Sequence, residues 1–450
     1  MSQRHEPLAV QGQRVTVVGL ARSGVAAARW LVDQGASVTV TEAHDTPETR
    51  QAARQLQRYA SVCGHLTVEI GKHTHRSLEG ARWVVVSPGV PETAMILQWA
   101  EAMGLPIISE VELAWRGCPA PLVAVTGTNG KTTVTTLIGH MLRAGGWSVE
   151  VCGNIGRPFC EAIRHLYERT IVVLEISSFQ LLRSPTLRPH VAAFLNLSSN
   201  HLDRHPNFAA YTEAKAKIFA NQTSSDWAVL NAADPDVQSL ASRVRSHIIW
   251  FNHDVPPAER ITARNPNVEA AAAVAGIFGV SDDVIQQTVR NFRGLEHRLE
   301  HVATVRGVTC INDSKSTTPA SLIWALERCA NAPVVLIAGG RNKGCDFAPV
   351  RQALARSTVK RIVLIGESRY ALRQALQGIV PIEEATSLDD AVREAFQAAG
   401  RGETVLLSPA CASFDMFANY EERGRRFKAC VQALAHTDGV AAAPADEVVG

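Results

Sequence analysis

In 450 residues, 46% hydrophobic and 20% charged, the chain has the make-up of a folded protein of two to four domains, each large enough to bury its own core. Forty-five basic side chains stand against 43 acidic ones. The net charge of +2, with no dense Lys/Arg block, argues against a nucleic acid or an anionic membrane surface as partner. The longest apolar stretch, residues 270–280, is too short to cross a bilayer, and the first residues lack a signal-peptide core. Nine scattered cysteines without a C-x-x-C pair argue against a disulfide framework or a zinc site. A cytoplasmic location and a monomer are expected.

The first predicted strand, 15–19, breaks into a turn bracketed by Gly19 and Gly24 and then a helix. The dinucleotide fingerprint G-x-G-x-x-G needs glycine at 21, where Ala21 stands. A nucleotide-diphosphate site and a plain α/β turn therefore both remain open. Strands follow at 38–41 and 83–86. Glu42, after the first, stands where a ribose-binding acid would lie; Ser87-Pro-Gly89, after the second, could face the same crevice.

The strand 122–125 leads into Gly127-Thr128-Asn129-Gly130-Lys131-Thr132-Thr133 and a helical pattern. Glycines let backbone N–H groups close on phosphates, Lys131 reaches the terminal ones, and the Thr132 hydroxyl can sit on Mg²⁺. The helix beyond presents its positive N-terminus. The common G-x-x-x-x-G-K-[ST] form needs glycine at 125, which is Val125, so this loop is a tighter variant. Without an anion it would be a helix start with incidental glycines.

After the strand 171–174, Glu175 is placed to ligate Mg²⁺, whereas Ser177 and Ser178 would also suit a helix N-cap. The strand 192–195 is followed by Asn196-Leu-Ser-Ser-Asn-His-Leu-Asp-Arg-His205, a cluster rather than a lone histidine. Lys215 and Lys217 lie two apart on a predicted helix, so only one can face inward, and charge pattern alone favours a solvated face for both. A further strand is expected at 228–230.

Strands at 334–338, 362–365 and 405–407 organise the remainder. His297-Arg298, Asn312-Asp-Ser-Lys-Ser-Thr317, Gly339-Gly-Arg-Asn-Lys343 and Leu407-Ser-Pro-Ala-Cys-Ala-Ser-Phe414 lie beside apolar segments, the last two at strand C-terminal ends where open α/β sheets bind ligands. Asp313 and Lys315 have the types needed to hold a nucleotide and neutralise a transferring phosphate. No Ser/His/Asp triad is evident, and Cys411 reads as a buried structural thiol. Alternation of short apolar runs with helices predicts an α/β fold of doubly wound units in three blocks, 1–115, 116–294 and 295–450, with a frayed tail from His436.

In this order, the strings at 127–133, 153–156 (Gly-Asn-Ile-Gly), 175–180, 201–205, 312–317 and 407–413 resemble the Mur ligase family across about residues 12–435, and within it the glutamate-adding branch. The resemblance implies an N-terminal Rossmann-like UDP-binding domain, a central P-loop-type ATPase domain and a C-terminal Rossmann-like domain. It implies a ligase that uses ATP and Mg²⁺ to join glutamate, in the D form, to UDP-N-acetylmuramoyl-L-alanine through an acyl-phosphate. By motif, Gly127 to Thr133 with Asn267, Arg298 and Asp313 would hold ATP. Thr132, Glu175, His201 and a carbamylated Lys215 would serve Mg²⁺, and Lys131, Glu175, His201 and Lys215 would form the catalytic set. Arg22, Ser23, Ser87, Gly89, Asn154, Ser177 and His201 would meet the UDP-muramoyl precursor. Thr317, Lys343, Ser413, Phe414 and Tyr420 would form the glutamate pocket.

The family's H-N-x-x-N motif stands here as Pro266-Asn267-Val-Glu-Ala270, the segment 250–265 is short, Asn200 replaces an Asp, and Phe414 and Tyr420 stand where Leu and Phe are frequent. The alternatives are a sibling ligase with another amino acid or acceptor, including L-glutamate, and a non-catalytic nucleotide-binding regulator. A nicotinamide oxidoreductase is disfavoured by Ala21.

Overall fold

The computed structural model describes residues 9–166, 169–198, 204–253, 265–292, 294–342 and 345–436. His201, Lys343, most of the short 250–265 segment and the tail beyond His436 therefore lie outside the described residues.

The first sheet is built from β1 (Arg14–Val18), α1 (Arg22–Asp33), β2 (Ser37–Glu42), α2 (Pro47–Cys63), β3 (Leu66–Ile70), β4 (Trp83–Val86), α3 (Met95–Ala102) and β5 (Ile107–Ser109). Its strands run parallel in the order β3-β2-β1-β4-β5. The order reverses at β1, so the loops after β1 and β4 meet at the switch point. There α1 starts tight against the sheet: a Cβ on Gly24 would lie 1.9 Å from Gly19 O, and Gly19 itself has φ +97°. α2 starts cleanly because Thr46 caps it reciprocally with Thr49 and Pro47 presets its first turn.

A connecting helix, α4 (Glu110–Arg116), leads to β6 (Leu122–Thr126), α5 (Lys131–Ala144), β7 (Ser148–Gly153), α6 (Phe159–Ala162), β8 (Thr170–Glu175), α7 (Ser178–Leu182) and β9 (Val191–Phe194). Then come α8 (Phe208–Ala216), β10 (Trp227–Asn231), α9 (Pro235–Ser239), β11 (His247–Phe251), α10 (Pro266–Ile277) and α11 (Asp282–Asn291). This second sheet is again parallel, in the order β11-β10-β9-β6-β8-β7. Its central strands are buried on both faces. Val123, Val125, Val173 and Val191 pack under α5 and α10, while Leu122, Ala124, Leu174 and Phe194 join a core that runs on into Val15, Val17, Val38 and Val40 of the first sheet. That shared core makes Met1–Phe292 one compact unit, with Arg293–Gly450 the other.

The second unit holds β12 (Glu300–Val305), β13 (Val308–Asn312), α12 (Pro319–Arg328), β14 (Val334–Gly339), α13 (Ala348–Leu354), β15 (Val359–Ile365), α14 (Arg369–Leu376), β16 (Ile382–Glu384), α15 (Leu388–Ala398), β17 (Thr404–Leu407) and α16 (Tyr420–His436). The strand order is β12-β13-β17-β14-β15-β16, parallel except for the antiparallel β12–β13 hairpin. The α/β class and the parallel sheets are as expected. The ten strands foreseen as apolar runs are present within a few residues. β3, β5, β7, β11, β12, β13 and β16 were not foreseen; several interleave polar residues and are half-buried, so they present no unbroken apolar run.

α4 couples the two sheets of the first unit. The Trp115 indole N–H donates to Thr186 O (2.9 Å), and Glu112 accepts from the Thr186 hydroxyl (2.5 Å) and from Arg116 (2.7 Å). Glu110 is buried: Oε1 accepts the Cys160 N–H (2.5 Å) and Oε2 has no described partner. Burial pushes its carboxyl up from 4.5 to about 7 despite the bond from Cys160. The folded chain thus keeps a proton that the unfolded chain releases. Stability falls as pH rises from 4.5 through 7, and the penalty is complete above that window. Glu110→Gln keeps an acceptor for Cys160 without the charge. Urea denaturation should find it more stable by on the order of 1–3 kcal/mol at pH 8, with little gain at pH 4; no gain at pH 8 would show that burial does not raise the Glu110 carboxyl.

Candidate active site

β6 ends between β8 and β9, and the loop that leaves it carries the predicted phosphate cradle. Thr126 Oγ1 donates to Ile176 O (3.0 Å), tying the end of β6 to the end of β8. Gly127 (φ +149°) lies against Leu195, and Gly130 (φ +80°) takes the left-handed turn into α5. A Cβ on Gly130 would come 2.4 Å from Asn267 Oδ1, so the surviving asparagine of the altered motif lies over the loop. Thr132 and Thr133 sit in the first turn of α5, where N–H groups are left over for an anion.

Asn196, just past β9, holds this loop from the side. Its Oδ1 accepts the N–H groups of Thr128 (3.1 Å) and Asn129 (2.8 Å), and its Nδ2 donates to Asn129 O (3.2 Å). Thr128 Oγ1 lies 3.2 Å from the Tyr211 hydroxyl on α8 and accepts from Ser198 N (3.0 Å). Neither Asn196 nor Tyr211 was assigned a role from sequence; the position of Asn196 just beyond a strand end was the available signal.

Two ammonium groups converge on one backbone oxygen. Lys131 Nζ donates to Gly127 O and Thr128 O (both 2.9 Å), and Lys215 Nζ donates to Gly127 O (2.8 Å) and Thr126 Oγ1 (3.3 Å). Lys215 is buried; Lys217 is exposed and reaches Leu182 O (3.2 Å). Burial, and then the charge of Lys131, push the Lys215 amine well below the ordinary lysine range, against a smaller opposing pull from Glu175. The solvated face that charge pattern favours for both lysines thus fails for Lys215.

Glu175 is buried at the end of β8. Asn154 Nδ2 donates to its Oε1 (2.8 Å), and its Oε2 has no described hydrogen-bond partner. A buried carboxylate oxygen without a described hydrogen-bond partner is the kind of donor a hard cation takes. Among the described residues no cluster of three His, Cys, Asp or Glu could hold a metal by itself. Ser177 closes a reciprocal cap on α7 with Gln180, so the N-cap reading holds for it.

The first-sheet residues face the same edge of this unit. Ser87 Oγ donates to Gly19 O (3.4 Å), and Arg22 donates to Gly156 O in the loop that carries Asn154. Arg204 donates to Pro88 O (3.0 Å) and Val90 O (2.9 Å) while stacking 3.8 Å over Phe179. Gly89 is exposed, and Ser23 lies in the first turn of α1. A groove of about 470 Å³ beside the turn is lined by Arg22, Arg29, Arg157 and Arg164 with Glu161; Arg157 is paired with Glu150 and Arg164 with Asp33, which leaves a modest excess of positive charge on its wall. Glu42 serves the turn itself: its oxygens accept the N–H groups of Leu20 (3.0 Å) and His44 (2.9 Å). Burial opposes its charge, but those two bonds outweigh it and hold the carboxyl below the usual range.

In the second unit, Asp313 is buried and accepts from Leu299 N (3.2 Å) and the Ser408 hydroxyl (2.8 Å); burial still raises its carboxyl to about 6. Arg298 follows His297, which has φ +65°, and its Nε is buried without a described partner. Ser413 is buried, Thr317 half-buried and Phe414 exposed. Tyr420 opens α16, where its carbonyl accepts the Ser314 hydroxyl (2.8 Å). Cys411 is buried with its thiol raised to about 11, too high for a nucleophile.

Three family models cover most of the chain: "Mur ligase MurD-like, N-terminal domain" over residues 13–109, "Mur ligase middle domain" over 125–286 and "Mur ligase, glutamate ligase domain" over 297–411. The UDP-N-acetylmuramoylalanine–D-glutamate ligase of Geotalea daltonii is 39% identical, over 95% of this chain and 99% of its own. The enzyme of the same name from Caldanaerobacter subterraneus is 38% identical, over 94% and 98%. Among solved structures, the UDP-N-acetylmuramate-alanine ligase of Thermotoga maritima matches with a TM-score of 0.56 at 18% identity, over 93% of this chain and 99% of that one. A pseudomurein peptide ligase type C from Methanothermus fervidus matches at 0.52 and 16%, over 94% and 100%. These two likenesses show the fold.

The bonds from Asn196 generate a prediction. Asn196→Ala leaves Lys131 in place and the Thr128 N–H on the residue 196 carbonyl, but it frees the Asn129 N–H group. The apparent KM for ATP should rise about 10-fold, the worth of one to two hydrogen bonds, with a modest loss of thermal stability. An unchanged KM for ATP would mean that Asn196 does not shape the nucleotide loop.

Proposed function

The chain belongs to the Mur ligase family, and on that premise we propose that it joins D-glutamate to UDP-N-acetylmuramoyl-L-alanine at the expense of ATP, releasing ADP and phosphate in peptidoglycan precursor synthesis. The observation that carries this reading is identity of 38–40% along almost the whole chain to ligases bearing that name. The enzyme works in the cytoplasm as a monomer on a soluble precursor. No helix among the described residues is long and apolar enough to cross a membrane.

The reaction makes two demands. A precursor carboxylate oxygen attacks the γ-phosphorus of ATP, the bond to the β-phosphate oxygen breaks, and an acyl-phosphate forms as ADP leaves. The amine of glutamate then attacks the acyl carbon, loses a proton and expels phosphate. The first step brings anions together, so it needs fixed positive charge and backbone donors. Residues 127–133 supply them, with Lys131 delivering its ammonium beside Gly127 and Thr128. Mg²⁺, when bound, neutralises the phosphate oxygens. Thr132, Glu175, His201 and a carbamylated Lys215 would hold it, and the Glu175 Oε2 without a described partner fits that use. Asn154 fixes the other Glu175 oxygen and so aims the carboxylate. Arg22, Ser23, Ser87, Gly89, Asn154, Ser177 and His201 receive the precursor, and Asn267, Arg298 and Asp313 complete the ATP contacts. Thr317, Lys343, Ser413, Phe414 and Tyr420 take the glutamate.

The test is ligation by the purified enzyme with D- and L-glutamate and a panel of UDP-muramoyl acceptors. D-Glutamate on the L-alanyl precursor should be the preferred pair, and Lys131→Ala should lower turnover ~10²–10³-fold without unfolding the protein. Preference for L-glutamate, alanine or lysine would overturn the assignment of the amino acid.

Lys215 has a second role under this proposal. Burial and the charge of Lys131 favour the neutral form of this amine, and in that form it can add to CO₂, losing one proton and becoming a carbamate. The new carbamate then forms an ion pair with the Lys131 ammonium and adds an oxygen donor for a divalent ion. Because the neutral amine is the reactive form, activity should fall as pH drops or CO₂ is stripped, and return with bicarbonate. Lys215→Ala should be inactive and partly rescued by short carboxylic acids; full activity of that variant without additive would refute the role.

A further inference from the structure

The second unit contains a buried cation that none of these roles uses. Arg423, in the first turn of α16, is 1% exposed. Its Nε donates to Ser314 Oγ (3.1 Å), and its Nη2 to Ser314 O (2.9 Å) and Cys411 O (3.1 Å). All these acceptors are neutral oxygens. Nη1 is buried and has no described hydrogen-bond partner, and it faces Gly340, where a Cβ would lie 3.2 Å from it and 2.2 Å from Ala412 O. Asp415 is the carboxylate in this neighbourhood; its Oδ2 accepts the Glu367 N–H (2.9 Å) and its Oδ1 is buried without a described partner.

A buried guanidinium with neutral acceptors is costly, and a well-packed apolar side chain would serve stability at least as well. The segments it grips explain its retention. Ser314 belongs to the string 312–317, Cys411 to 407–413, and Gly340 opens the string that runs to Lys343. These three strings leave the C-terminal ends of β13, β17 and β14, three neighbouring strands, and they carry Thr317, Ser413 and Lys343. Two of the three are pinned by one side chain, and the third passes over its unused nitrogen.

We propose that Arg423 is a positioning residue for the incoming amino acid: it locks the 314 and 411 segments in register beneath Gly340 and lends positive potential to the loops that receive the two carboxylates of glutamate. The inference rests on the glutamate reading and adds to it a residue that touches no reacting atom. Burial pushes the guanidinium down to about 10, so it stays charged at neutral pH.

The experiment compares wild type, Arg423→Lys and Arg423→Met in steady-state ligation, varying D-glutamate, ATP and UDP-N-acetylmuramoyl-L-alanine separately and recording thermal midpoints. Arg423→Met should raise the KM for glutamate ~10-fold or more, the cost of a lost charge-assisted contact, while the other two KM values stay within about two-fold. Arg423→Lys, which keeps the charge but not the fork, should recover part of the loss. If all three KM values rise together, or if only kcat and the thermal midpoint fall, Arg423 is a structural pin and the inference fails. Should Arg423→Met not fold, Ser314→Ala removes one acceptor and leaves the arginine; an unchanged glutamate KM there would equally overturn the proposal. A wild type that does not ligate glutamate brings down the proposed function as well. An active wild type with flat variants brings down this inference alone.

Discussion

Two lysine side chains, 84 positions apart in the chain, share one acceptor, the carbonyl of Gly127 at the end of the strand that is central in its sheet. Much of the first unit can be understood from that convergence. Lys131 is brought there by the left-handed turn at Gly130 and Lys215 by the inward face of α8. Two amino groups so close repel when both are charged, and burial with the charge of Lys131 disfavours the charged form of Lys215 against a smaller pull from Glu175. Under the proposed function the site takes negative groups on both sides: phosphates over the loop, and a carbamate at Lys215. Glu175 has one oxygen fixed by Asn154 and one without a described hydrogen-bond partner, the oxygen the proposed function gives to a divalent ion.

The same construction recurs in each sheet. Functional side chains sit on loops beyond the C-terminal ends of parallel strands, and glycines there serve close approach rather than flexibility. Gly19 meets Ser87, Gly130 meets Asn267, and Gly340 meets Ala412 and Arg423. A side chain at any of these would push apart the loops that the site needs together. Polar residues from distant positions then fix the loops: Asn196 for the phosphate loop, Arg204 for the loop after β4, Arg423 for the loops after β13 and β17.

Stability is given up at several of these points. Glu110, Asp313, Lys215 and Arg423 are all buried, and burial drives each toward its neutral form. For Lys215 the lowered pKa favours the neutral amine that the proposed carbamylation needs. Glu110 instead sits on α4, where one core runs through the two sheets, and its carboxylate accepts the Cys160 N–H.

Sequence alone determined what is local. The central strands were legible because burial on both faces makes them unbroken apolar runs, and the phosphate loop because its glycines, lysine and threonine must be neighbours in the chain to surround an anion. The half-buried strands β7 and β12 were not, since their polar residues break the run. Only the tertiary structure decided which of Lys215 and Lys217 turns inward, because that depends on what α8 packs against. It also assigned Glu42 to the Leu20 turn rather than leaving it open, and it found Asn196 and Arg423, whose partners lie 68 and 109 residues away. A hydrogen bond across that distance leaves no pattern in the chain; it exists only once the sheets have brought the loops together.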